Sequence, residues 1–244
     1  MNASTALVAC DVFQNEIAAL LSAPGAIAPA RVEWLEMGLH DHADRMRTSI
    51  QEAVDRLEAD PAVTTVLLAY GLCGNGVVGI RTRRCRLVLP RAHDCISILF
   101  GDRPAYERYL SENPGAYFYS PGWIRGRRVP GPDREAQVLA HYQQRYPDDP
   151  DVVEDMVAAD RETYAHHGCA AYIDVTGDRN AEDYCRACAK HLAWRFERIQ
   201  GDDRWLRTLL SGLWAKEHFV VLEPGLPTCL GPDGMLAADG KAMT

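Results

Sequence analysis

Thr64-Thr65-Val66-Leu67-Leu68-Ala69-Tyr70, running directly into Gly71-Leu72-Cys73-Gly74-Asn75-Gly76, is the stretch on which the fold turns. The first seven residues are β-branched or apolar almost throughout. Such a run lacks the alternation of a half-exposed strand and reads as one buried on both faces. The glycines after it end the strand in a turn where backbone can approach another group closely. Upstream, Met46, Ile50, Val54 and Leu57 recur at helical spacing and predict a helix over about Ala43–Glu58, with Asp41 or Asp44 at its start and Pro61 closing it. Before that lie a strand at Thr5–Cys10, a helix at Gln14–Leu21, a loop at Ser22–Pro29 and an alternating strand at Val32–Met37. Downstream, Arg86–Leu89 is a further short strand that ends at Pro90. This rhythm predicts an α/β fold: mostly parallel sheet with helices on both faces.

The middle of the chain, about 101–165, is less regular. It carries helices near Ala105–Glu112, Arg134–Arg145 and Asp151–His166, with an aromatic Tyr117-Phe118-Tyr119 run and Pro121-Gly122-Trp123 between them. The strand–helix rhythm then returns. Strands are expected at Ala170–Val175, Phe196–Ile199 and Phe219–Leu222, and helices at Ala181–Ala193 and Asp203–Leu213. The expected organisation is two Rossmann-like halves, 1–125 and 126–228, followed by a flexible tail at 229–244.

A length of 244 residues suits one large domain or two small ones. The net charge of -8 disfavours a nucleic-acid partner. The basic run Arg125–Arg128 reads as a solvated loop, with an anion contact as the alternative. No apolar run approaches the roughly 20 residues of a membrane span. The N-terminus lacks a basic segment followed by an apolar one, so a cytoplasmic location is expected. Eight cysteines in a reducing compartment are expected to be core residues, ligands or catalysts rather than a disulfide framework.

In a parallel sheet, ligands bind beyond the carboxyl ends of the strands. Cys10 closes the first strand, Cys73 follows the Thr64–Tyr70 strand, and Cys95 follows the Arg86–Leu89 strand. If these strands are neighbours, the three thiols converge. Thiolates with the His93 imidazole suit zinc or an iron–sulfur cluster. Two alternatives stand beside this: Cys73 as a metal-free nucleophile, and all three as small core residues. The Pro90–Cys95 loop adds Arg91 for a substrate anion and His93 with Asp94 for acid–base work. Gly74, Asn75 and Gly76 are candidates for substrate contact through backbone N–H groups, or make a plain turn. No Gly-Lys-Ser/Thr follows, so this is not a nucleotide P-loop. Cys185-x2-Cys188 with His191, and His166-His167 with Cys169, are weaker candidates for ligands. Asp174, Asp178 and Asp183 read as helix-capping residues before cation ligands. Cys85 and Cys229 carry no pattern.

Tyr70–Ile80 (YGLCGNGVVGI), Leu87–Gly101 (LVLPRAHDCISILFG), Pro114–Trp123 (PGAYFYSPGW) and Phe219–Gly225 (FVVLEPG) resemble the domain-of-unknown-function 1638 family of bacteria and archaea. The resemblance implies a site at Cys10, Cys73, His93, Asp94 and Cys95. It also implies an association with corrinoid-dependent methyl transfer, with a corrinoid protein as a partner. The expectation is therefore a metal- or iron–sulfur-dependent enzyme acting on a small molecule in one-carbon metabolism. The rivals are a non-catalytic metal or corrinoid carrier and a purely structural protein.

Overall fold

The structure, a computed structural model, describes residues 4–127 and 129–237. In chain order it begins with β1 (Ser4–Cys10), a 3-10 turn at Asp11–Phe13, α1 (Gln14–Leu21), β2 (Arg31–Leu35), a 3-10 turn at Leu39–Asp41, α2 (Ala43–Glu58), β3 (Val63–Ala69) and β4 (Arg86–Pro90). There follow α3 (Cys95–Phe100), α4 (Arg103–Glu112), β5 (Ala116–Tyr119), α5 (Pro121–Arg125), α6 (Pro132–Arg145), α7 (Pro150–Glu162) and β6 (Cys169–Asp174). The chain continues through α8 (Arg179–His191), β7 (Arg195–Gln200), α9 (Arg204–Ser211), β8 (Phe219–Leu222), β9 (Cys229–Leu230) and β10 (Leu236–Ala237).

The chain divides into two compact units, one formed by the segments before Pro104 and after Gly201, the other by Pro104–Gly201. The expected boundaries at 125 and 228 differ from this division. The physical reason is β8. It lies after the second unit in sequence yet pairs antiparallel with β4 of the first. Strand pairing, not chain order, draws the boundary.

In the first unit the sheet order is β2-β1-β3-β4-β8. The pairs among β2, β1, β3 and β4 are all parallel. One face of β1 and β3, presenting Ala6, Val8, Val66 and Leu68, packs with Met46, Ile50, Val54 and Leu57 of α2. The intervening Leu7 and Leu67 are also fully buried, so these strands are covered on both faces, as their unbroken apolar sequence requires. Helix α9 packs on β3 and β4 through an apolar stripe of Trp205, Leu206, Leu209 and Leu210.

The Cys229–Ala237 stretch is a correction to the expected tail. It forms a two-stranded antiparallel hairpin, β9 with β10, and Leu236 is fully buried. The rest of the expected tail, 238–244, lies outside the described residues.

The second unit has a three-stranded parallel sheet, β5-β6-β7. Its first strand is the Tyr117-Phe118-Tyr119 run, which the sequence presented only as an aromatic patch. Ser120 caps α5, with Pro121 at the first helical position. Asp149 and Asp178 cap α7 and α8 in the same manner. Both units are thus α/β, with mostly parallel sheets. No described helix is long and apolar enough to cross a membrane.

Candidate functional site

The first unit places its chemistry at the carboxyl edge of its sheet. The chain leaves β1 toward β2 on one side and returns to β3 on the other, so β1 and β3 flank a topological switch point. The crevice outside such a point is where open α/β sheets bind ligands. Cys10 is the last residue of β1, and Tyr70 follows the last residue of β3. Cys73 sits in the glycine turn, and Cys95 opens α3.

Two backbone hydrogen bonds tie the turn to the β4 loop. Leu72 N–H donates to the Ala92 carbonyl and Cys73 N–H to that of His93, both at 2.9 Å. At Gly71 the backbones nearly touch: a Cβ there would stand 2.7 Å from Asp94 Cα. Only glycine allows the two loops to close so tightly. Cys73, Gly74 and Asn75 then adopt successive left-handed conformations, with φ of 46°, 66° and 69°. Such backbone is uncommon outside glycine and is held by its surroundings. Arg47 of α2 supplies part of that hold, donating to the Val78 carbonyl at 2.7 Å. Buried Thr228 supplies more, bonding to the backbone at Val77 and Ile80.

The thiols of Cys10, Cys73 and Cys95 line one small cavity with Phe13, Glu36, Gly38, Leu39, His40, Met46 and Tyr70. Its volume is about 20 Å³, room for a single water-sized body. The Tyr70 hydroxyl is buried and makes no hydrogen bond of normal geometry. Its charged-state neighbours are the three thiols, Cys10 foremost. Burial pushes the Cys73 thiol up to about 12, with Asp94 and Cys10 adding to the effect. Burial likewise holds Cys95 well above the ordinary thiol range, followed by the influence of Cys73 and Cys10. Left to themselves these sulfurs stay protonated at neutral pH, which argues against Cys73 as a metal-free nucleophile. A bound cation would reverse the balance, because a coordinating thiol loses its proton outright. Among the described residues no three His, Cys, Asp or Glu side chains already stand arranged to hold an ion.

A family model described as "Protein of unknown function (DUF1638)" matches residues 34–210. The chain belongs to this family. No curated protein and no solved structure matches it.

The remaining candidates of this DUF1638 protein separate cleanly. Asp94 caps α3 in a reciprocal box with Ser97, accepting from Ser97 N–H at 2.8 Å. Its other oxygen stands 2.9 Å from His93 Nδ1. The His93 side chain is 64% exposed, so it faces solvent rather than the cavity. Arg91 is taken up elsewhere. Its guanidinium donates to the Leu236 carbonyl and pairs with Asp233, both at 2.9 Å, which anchors the C-terminal hairpin. That engagement replaces the expected substrate contact. Gly74 and Asn75 are exposed, whereas Gly76 is buried against Met46.

Cys85 is buried in the core of the first unit, and Cys229 lies in the β9 hairpin strand. Cys169, Cys185 and Cys188 belong to the second unit, where Cys185 and Cys188 are wholly buried beside Tyr119 and Tyr172. They are core residues of α8. The His166 and His167 rings pack together, and His167 also packs on Tyr117 and Trp194. Asp174 accepts from Gly177 N–H and pairs with Arg198, and Asp178 caps α8. Sequence reasoning missed Tyr70, Glu36, His40 and Met46 as members of the cavity. Tyr70 offered a signal, a hydroxyl at the end of an otherwise apolar buried strand. The other three come from the β2 turn and α2, and nothing local marks them.

Proposed function

We propose that this protein is a metal-dependent enzyme acting on a small molecule. A single ion would be held by the thiolates of Cys10, Cys73 and Cys95. The observation that carries the reading is the sulfur-lined cavity at the switch point, with the buried Tyr70 hydroxyl turned to it. Soft donors of this kind suit zinc or another thiophilic ion. An iron–sulfur cluster fits poorly, because about 20 Å³ accepts one ion-sized body and a cluster needs several times that space. A corrinoid ring is larger still. In this reading a corrinoid belongs to a partner protein that meets the chain from outside, as methyl-transfer chemistry would require.

A thiolate-held zinc supplies a Lewis acid that keeps a bound substrate thiol or water deprotonated near neutral pH. The chain's own residues do the rest. The three thiols give up their protons to the surroundings on loading. His93, oriented by Asp94 through Nδ1, presents Nε2 at the exposed rim to take or return a proton. Reduced thiols are what the site needs, which agrees with a cytoplasmic setting.

The test is metal and acid-labile sulfide analysis of the full chain purified without oxygen, beside its Cys73→Ala variant. Roughly one zinc-like ion per chain, without sulfide and lost in the variant, is the expected result. Sulfide in proportion to iron would overturn the single-ion reading in favour of a cluster. No metal in either preparation would end it. An ion that passes readily to a chelator would point instead to a carrier.

A further inference from the structure

Four adjacent parallel strands, β2-β1-β3-β4, each hand one donor to the same cavity. β1 ends in Cys10, the turn past β3 carries Cys73, and α3 past β4 begins with Cys95. The fourth is His40, in the 3-10 turn past β2. His93 comes from the same loop as Cys95 but is absent from the cavity lining, and Asp94 holds it at 2.9 Å on the exposed rim. His40 lines the cavity with half of its side chain exposed, and its nearest charged partner, Asp41, is at 3.4 Å. The turn that carries it starts at Gly38, with φ of 88°, and is rooted by buried Leu39. A hinge, an anchor and a mobile imidazole therefore sit directly over the thiols.

We infer that His40, not His93, is the nitrogen ligand that completes a three-thiolate, one-imidazole site for a thiophilic divalent cation. The inference rests on the single-ion reading above. Four-coordinate sites with three sulfurs and one imidazole are a common zinc arrangement. The side chains do not yet stand at ligating separation, so loading draws the Leu39–Asp41 turn inward over the sulfurs. The Tyr70 hydroxyl then lies beside the ion, where a bound water or substrate atom would find a hydrogen-bond partner.

The probe is cobalt(II), titrated without oxygen into the reduced, metal-free full chain. Its thiolate charge-transfer bands report the sulfurs, and its visible bands report the donor set. His40→Ala and His40→Asn should bind on the order of tenfold more weakly or worse, with shifted visible bands. His40→Cys should recover tight binding with an all-sulfur spectrum. His93→Ala should match the wild type. His40 is half exposed, so its variants should keep the wild-type circular dichroism and melting curve. Wild-type affinity and spectrum in His40→Ala, or loss in His93→Ala, overturns the assignment while leaving the thiolate site intact. Absence of any thiolate–cobalt band in the wild type, with Cys73→Ser indistinguishable from it, overturns the ion site itself.

Discussion

At the scale of single residues, the same side chain type plays opposed roles. Cys10, Cys73 and Cys95 retain some solvent contact at the mouth of a cavity, whereas Cys185 and Cys188 are sealed in a core. The sequence does not separate these sets by type; strand ends and helix interior do. Cys188 yields a pH prediction. Burial, with Asp133 adding and a Tyr184 hydrogen bond opposing, pushes its thiol up to about 11 from an ordinary value of 9.0. The folded state therefore holds its proton more tightly than the unfolded chain. The resulting stability is complete below about pH 9 and is lost as pH climbs from there through about 11. Urea midpoints measured from pH 8 upward should fall across that window. Cys188→Ala, although weaker at pH 8, should fall less steeply. Parallel slopes in the two proteins would remove Cys188 as a cause.

At the scale of elements, short capping signals place the functional groups. The Asp94–Ser97 box starts α3 and so orients Cys95 at its first turn, while the other oxygen of Asp94 steadies His93. The sequence assigned Asp94 to chemistry and overlooked the cap. A helix of six residues carries too little apolar periodicity to be seen from sequence. Asp94→Ala should lower stability by about 1 kcal/mol, and Asp94→Ser, which can still cap, by a few tenths at most. Chemical denaturation of the three proteins distinguishes the cases. Equal losses in Ala and Ser would mean that Asp94 stabilises through something other than the cap. The 70–76 turn shows the converse. Its glycines were legible as a turn, but its contact with the Asp94 backbone depends on two strands lying side by side.

At the scale of the whole molecule, the decisive feature is the return of the chain after Gly201 to complete the first sheet. α9 covers β3 and β4, β8 pairs with β4, and the following hairpin is anchored on Arg91. A chain cut after Gly201 lacks all three. Its β1 and β3 amides should exchange rapidly with deuterium, while those of β5, β6 and β7 stay protected, because the second unit keeps its own strands and core. Full protection of β1 and β3 in the cut chain would show that the return segment is dispensable. Local patterning was enough to establish the α/β class, most strands and helices, and the three thiols at strand ends, because those depend on apolar period and on turn residues near in sequence. It could not establish which strands are neighbours, since that is settled by packing between segments distant in sequence. For that reason the union of β8 with β4, the engagement of Arg91 by the hairpin, and the place of His40 and Tyr70 beside the thiols became visible only in three dimensions.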